Sequence, residues 1–357
     1  VCRNKVFIKK ERIKMAGKKA GKERGFLEVE KWSQGVKARL PVLKVTGASS
    51  GPLAVITAGQ HGRELNGIAA IEKVFNELDP KKLKGTVVFL PVMNPISVLS
   101  RRQDYPAEES RYRKVYLDRM GGPTLAYNMD RCWIDKPSAD TYSFAITQTV
   151  MKRWLKKADL IIDLHGWSDT SISLVWGYRE NTELVRAFGL PWLKIRDRKE
   201  EPFGMVLNLA RKTGKPKILV CELTPQCVLN PVSVEYARRG ITNSLKFTGM
   251  LEGSIELPPV QYEMYQESKT AGMVSEGEGL IIEEARVGEF VKKGQITTRV
   301  VSLETFKTVW SYRAPFDGLV FSNGRTTWGE DLKESSIAYP GYSVGRIIQV
   351  ENIIKNK

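Results

Sequence analysis

Two histidines occur in 357 residues, and each is followed by glycine. His61 opens His61-Gly62-Arg63-Glu64, and His165 closes Asp163-Leu164-His165-Gly166. Both stand at the ends of apolar, strand-like runs, and two imidazoles so placed read as parts of one device. The chemistry that fits is a metal site, in which two neutral imidazole nitrogens and one carboxylate hold Zn²⁺ and leave a position open for water. Glu64, three residues after His61, supplies the carboxylate, so His61, Glu64 and His165 are the expected ligands of one zinc ion per chain. An HxxE pair alone arises by chance, and a lone histidine reads as a hydrogen-bonded loop residue. The second histidine, about a hundred residues on, makes the pattern specific.

The elements that must position these residues follow from periodicity. Residues 25–32 and 37–46 alternate as a hairpin. Residues 52–59 form a short apolar strand that delivers Gln60 and His61, and 64–78 carry a helical spacing through Leu65, Ile68, Ile71, Phe75 and Leu78. A second buried strand over 86–92 ends at Asn94-Pro95. Residues 96–137 are irregular and charged, a candidate binding loop. Helices are expected from a Ser138 cap to about 157, over 203–213 and over 231–251, and strands over 159–164 and 217–223.

Alternating strands and helices predict an α/β fold with a mixed, mostly parallel sheet covered by helices on both faces. In such sheets the active site lies beyond the carboxyl ends of the strands. His61, Asn94, His165 and Glu222 all fall at or just past such ends. After Gly253 the texture changes to short strands and frequent glycine. The expected division is therefore a catalytic domain over 1–252 and a small all-β barrel-sandwich over 259–357.

The net charge is +16, and residues 1–24 hold ten Lys or Arg against Glu11 and Glu23, about half of the excess. No RNA-binding signature, zinc knuckle or basic heptad run accompanies it, so a solvated basic face is expected and nucleic acid is not an expected partner. No run approaches 18 apolar residues, so no membrane span is expected. The four cysteines lack CxxC spacing and suggest no disulfide framework. With no apolar core of signal-peptide length at the start, a cytoplasmic location is expected. The expected partner is a small-molecule substrate, and a homo-oligomer is left open.

The chain resembles the zinc carboxypeptidase-like superfamily, and within it the succinylglutamate desuccinylase/aspartoacylase family, whose members cleave N-acyl groups from amino acids. The matching residues are, in order, Gly59-Gln60-His61-Gly62-Arg63-Glu64-Leu65-Asn66-Gly67, Pro91-Val92-Met93-Asn94-Pro95, Asn128-Met129-Asp130-Arg131-Cys132-Trp133, the strand 159–166 with His165, and Cys221-Glu222-Leu223. The resemblance runs from about residue 25 to 250. It implies that Glu222 takes a proton from the attacking water and gives it to the leaving amine. It also implies that Arg131 grips a substrate carboxylate through its planar fork, with Asn128 orienting a zinc ligand. The position before that arginine is usually Asn, and here it is Asp130. A carboxylate beside an anion-binding arginine weakens the positive field, which implies a less acidic substrate, or one that carries an amine. For the tetrahedral oxyanion, Arg102 is the expected partner, with neighbouring Arg101 and Arg113 in competition.

Residues 287–295, Lys307 and Ala314-Pro315-Phe316-Asp317-Gly318 look like a biotinyl/lipoyl-carrier sandwich, in which a hairpin lysine is modified. Phe306 stands where carriers have Met or Asp before that lysine, so an unmodified, structural version is expected. Sequence therefore predicts a zinc-dependent N-acyl amino acid deacylase. The alternatives are a zinc carboxypeptidase acting on peptides, or a non-catalytic binding or carrier protein that has kept the fold.

Overall fold

The runs that read as buried strands in sequence form the middle of one sheet. In a computed structural model, residues 20–29, 38–104, 128–134, 142–167, 170–197, 205–207, 209, 217–324, 326–328 and 333–356 are described. The elements of the first 250 residues are β1 (Gly21–Val29), β2 (Ala38–Thr46), β3 (Ser49–Ala58), α1 (Asn66–Glu77), β4 (Lys84–Leu90), α2 (Pro95–Ser100), α3 (Tyr142–Arg153), β5 (Leu160–His165), β6 (Leu174–Tyr178), α4 (Thr182–Phe188), β7 (Trp192–Arg196), β8 (Lys217–Glu222) and α5 (Pro231–Phe247). β9 (Val260–Tyr265) and a last strand, Asn352–Lys355, complete a ten-stranded sheet in the order β1-β2-β4-β3-β5-β8-β6-β7-β9 and then Asn352–Lys355.

The pairs β3–β4, β3–β5, β5–β8, β6–β7 and β7–β9 are parallel, and the rest antiparallel. Alternate residues of the central strands feed two separate apolar clusters. Val55, Ile161 and Val220 face one that includes Ile146 and Val150 of α3. Ile56, Ile162 and Leu219 face the other, with Phe75 of α1, Phe188 of α4 and Ile241 of α5. Helices thus cover both faces, which is why β3, β5 and β8 are apolar almost throughout rather than alternating. The asparagine-proline pairs act as helix starters: Asn94 Oδ1 accepts from Ser97 N, and Asn230 Oδ1 from Val232 N and Ser233 N, with proline at the first helical position.

Residues 270–348 form two four-stranded antiparallel sheets packed on Met273, Val300, Val320, Val344 and Ile347. The first and last strands of the 259–357 segment nonetheless belong to the large sheet, β9 pairing with β7 and with Asn352–Lys355. The sandwich also grips the segment that follows β5. Ile172 N donates to Phe321 O, Asn323 N donates to Thr170 O, and Trp167 meets Phe321 edge-on at 5.5 Å. Among the described residues no helix is long and apolar enough to cross a membrane.

Several elements depart from expectation. β6, α4 and β7 lie in a stretch where periodicity predicted nothing. The expected cap Ser138, most of the expected helix over 203–213, and Arg113 lie outside the described residues. Lys307 is exposed and stands at the end of a tight hairpin, where its backbone oxygen accepts from Ser302 N at 3.0 Å.

Candidate metal and catalytic centre

Three neighbouring strands end in the residues that matter: β3 runs into Gln60 and His61, β5 ends in His165, and β8 ends in Glu222. His165 and Glu222 are register partners across β5 and β8, so their side chains leave the sheet on the same side. Glu64 sits in the turn before α1. His61, Glu64, His165 and Glu222 are all buried.

The glycine after each histidine has a packing reason. A side chain on Gly62 would collide with the backbone oxygens of Ser97 and Arg102, and one on Gly166 would lie 2.6 Å from Leu223 O. Both loops therefore approach neighbouring backbone at a distance that only glycine permits.

His61 Nδ1 lies 2.8 Å from Glu64 Oε1, and His165 Nδ1 lies 3.1 Å from Glu64 Oε2. The ring centroids are 5.1 Å apart. One donor atom from each of His61, Glu64 and His165 falls within 4.8 Å of the others, a grouping suited to a metal ion. The far side of each ring is held by an acceptor. His61 Nε2 donates to Asn128 Oδ1 at 2.9 Å, and His165 Nε2 to Asp163 Oδ2 at 3.1 Å. With both Nε2 atoms donating to these acceptors, each ring turns Nδ1 toward Glu64, and loss of the Nδ1 proton would leave its lone pair to a cation, the usual device for orienting a ligating imidazole. Two nitrogens and a carboxylate, with ring orientation fixed from behind, fit a divalent ion of the N/O-preferring kind.

The support behind His165 is itself layered. Asp163 is fully buried. It accepts from Thr57 Oγ1 at 2.5 Å and from Gln60 Nε2 at 2.7 and 2.8 Å, and Gln60 Oε1 accepts from Trp133 Nε1 at 3.0 Å. Sequence reading quoted Gln60, Asp163 and Trp133 within motifs but gave them no role. For Asp163 the available signal was its place two residues before His165, on the same strand face.

Burial opposes charge on His61, but the Glu64 carboxylate and then Asp104 override it and hold the imidazole up at about 10. Burial likewise opposes charge on Glu64, and the two rings override it, holding the carboxyl down to about 2. His165 is raised well above its ordinary value against its own burial, by Asp163 and Glu64. Without a metal both rings are therefore imidazolium at neutral pH, and a bound ion must expel two protons, one from each Nδ1. The sign follows: affinity for a divalent ion is expected to rise with pH. Calorimetry in buffers of different ionisation enthalpy is expected to read close to two protons released per ion. A value near zero would contradict the pairing.

The expected substrate residues lie on the short 3₁₀ turn Met129–Arg131. Asp130 is buried; its Oδ2 accepts from Arg131 Nη1 at 2.6 Å, and its Oδ1 is 3.8 Å from His165 Nε2. Arg131 is about one-quarter exposed and spends one donor on that contact. Arg102 is exposed; its backbone oxygen accepts from Ser97 Oγ at 3.0 Å. Arg63, between His61 and Glu64, was given no role in sequence, yet it and Arg131 are the arginines whose fields reach Asp104. Burial, with Glu64 and Asp130 nearby, pushes the Glu222 carboxyl up to about 8 against the pull of His165 and His61.

The family description "Succinylglutamate desuccinylase/Aspartoacylase catalytic domain" matches residues 50–248, more than half of the chain. The chain belongs to this family. One curated relative, the N-alpha-acetyl-L-2,4-diaminobutyric acid deacetylase of Halomonas elongata, is 25% identical over 283 residues, 76% of this chain and 77% of that protein. Among solved structures, the product-bound ectoine utilization protein EutE (DoeB) from Ruegeria pomeroyi aligns with a TM-score of 0.74 at 20% identity, covering 93% of this chain and 96% of that one. A succinylglutamate desuccinylase from a Silicibacter strain aligns with a TM-score of 0.73 at 20% identity and the same coverage. These two likenesses establish the shared fold, including the C-terminal sheets.

Proposed function

We propose that the protein is a zinc-dependent amide hydrolase that removes the acyl group from a small N-acylated amino acid. The observation that carries this reading is the convergence of His61, Glu64 and His165 beside a buried carboxyl, Glu222, at the ends of neighbouring strands. Family membership and a deacetylase among the relatives support amide hydrolysis. When bound, zinc would acidify a water and polarise the scissile carbonyl.

The chain's own residues do the rest. Glu222 takes a proton from the attacking water, whose oxygen bonds to the carbonyl carbon. It passes that proton to the amide nitrogen as the C–N bond breaks, giving a carboxylic acid and a free amine. Its carboxyl, raised to about 8 without an ion and drawn down by one, suits a group that must both accept and donate. Arg131, which spends one donor on Asp130 among the described residues, binds a substrate carboxylate through its fork. Asn128 and Asp163 hold the two imidazoles in register. Arg102, on the turn packed against Gly62, is the proposed partner of the oxyanion, and Arg63 is its nearest rival.

The test is metal analysis together with a substrate panel. Purified protein is expected to hold about one zinc per chain and to release amine from N-acyl amino acids, in acetyl or succinyl form, but not from dipeptides. Turnover of dipeptides alone would replace this reading with a carboxypeptidase. A metal-free chain that binds N-acyl amino acids without turnover would make it a binding protein.

A further inference from the structure

The two oxygens of Glu64 are held unequally. Oε2 faces His165 Nδ1 at 3.1 Å. Oε1 faces His61 Nδ1 at 2.8 Å and also accepts from two side-chain amides, Gln103 Nε2 at 3.1 Å and Gln226 Nε2 at 3.3 Å. These amides arrive from loops far apart in sequence, and both are fixed by their surroundings.

Gln226 Nε2 also donates to Gly166 O at 2.6 Å, so one side chain ties the residue after His165 to the Glu64 carboxylate. The backbone beside it bonds to the same loops: Leu223 N donates to His165 O at 2.9 Å, and Cys227 N to Arg63 O at 2.7 Å. The segment that leaves Glu222 is thus fastened to the loops that carry all three expected ligands. Gln103 is placed by its backbone oxygen, which accepts from Gly62 N at 3.1 Å and from Ser97 Oγ at 3.2 Å. Its Oε1 is buried with no hydrogen-bond donor among the described residues. Turning that amide over would set an oxygen against the carboxylate, so its N–H stays on Glu64 although the other end goes unpaired.

An ion held by the two Nδ1 atoms would replace the imidazole contacts of Glu64 but not the amide ones. Oε1 keeps two N–H groups, enough to fill its two acceptor sites. We infer that Gln103 and Gln226 are positioning residues, which hold Oε1 back so that Glu64 ligates through Oε2 alone. A carboxylate that gripped the ion with both oxygens would itself occupy the place that water and the substrate carbonyl need. The inference rests on the zinc centre proposed above and adds what keeps that centre open. A second grouping of possible donors, Asp130, Asp163 and His165, is also present. It does not include Glu64, so an ion held there would be indifferent to both glutamines.

The experiment replaces each glutamine with methionine, singly and together, which keeps the length of the side chain and removes its N–H groups. Zinc affinity is read by competition with a chromophoric chelator. The visible absorption of the cobalt(II)-substituted protein reports how many ligands the ion has. Zinc affinity is expected to fall by about tenfold in each single variant and by up to about a hundredfold in the double one. The cobalt band is expected to weaken and shift as Glu64 takes a second place on the ion, most in the double variant. A looser fold would lower affinity without adding a ligand, so lower affinity with an unchanged cobalt spectrum would overturn the inference. Unchanged zinc affinity in the double variant would overturn it too, and would point to the grouping without Glu64. Should Gln226→Met fail to fold by circular dichroism, Gln103→Met carries the test alone, because its backbone contacts survive the change. A wild type that takes up neither zinc nor cobalt would remove the metal centre and the inference with it, a failure seen before any variant is made.

Discussion

Replacing Glu222 with alanine is expected to lower kcat by about three orders of magnitude while the protein keeps its fold and its metal, the size of effect typical of losing a general acid–base group. The argument begins with how little Glu222 contributes to structure. Its carboxyl is buried at the end of β8 and makes no hydrogen bond among the described residues. Its main electrostatic company is unfavourable: burial, Glu64 and Asp130 all push its pKa up, to about 8. A carboxyl raised above its unfolded value favours folding most while it is protonated, and that contribution is lost as pH rises through about 8. Removing Glu222 is therefore not expected to destabilise the chain at pH 9, and thermal unfolding of wild type and variant across pH 6–9 checks this. A bound divalent ion would draw the carboxyl back down, so that it is ionised when water must be deprotonated. Glu222→Gln keeps the volume and is expected to be equally slow. Full turnover in either variant, at one metal per chain, would remove Glu222 from its proposed role.

The second large effect is expected from His165→Ala, which should abolish metal retention on dialysis and turnover with it. Two donors remain, Glu64 and His61, and a structural or catalytic zinc site with two protein donors is not held. His165 differs from His61 in what stands behind it. Asp163 is fully buried, and without the ring its hydrogen-bond partners among the described residues are Thr57 and Gln60. Breaking a buried charged pair by deleting one member costs about 3–5 kcal/mol. His61 is backed instead by the neutral Asn128 Oδ1. His61→Ala is thus expected to lose the metal with a smaller fall in melting temperature than His165→Ala. Metal analysis and thermal denaturation of the two variants, side by side, decide it. One ion per chain retained in either would break the ligand assignment, and equal melting temperatures would break the account of Asp163.

The strands that carry the histidines were legible because a strand buried on both faces must be apolar throughout, and a polar residue at its end stands out. Residues 160–165 show this, as do 217–222. The same logic explains what was missed. β6 and β7 are only five residues long, and β7 alternates Lys194 and Arg196 with Leu193 and Ile195, so neither rises above the background of a loop. β9 and Asn352–Lys355 were read as strands of the small all-β unit. Sequence pattern gives the period of a strand but not the sheet whose edge it joins. The residues behind the ligands, Gln60, Asp163 and Trp133, acquire meaning only when β3, β5 and the Met129–Arg131 turn are brought together. Arg63 was passed over because an arginine in a loop looks solvated until its neighbours are known.

The clasp between Phe321 and the segment leaving β5 has a consequence for how this protein can vary. Thr170 and Ile172 are hydrogen-bonded to the strand Gly318–Asn323, only five to seven residues beyond His165. The C-terminal third is accordingly no detachable appendage. A cut near residue 259 would bare the flank of β7 and release the segment that follows His165 in one stroke, so change in those late strands is expected to reach the proposed centre.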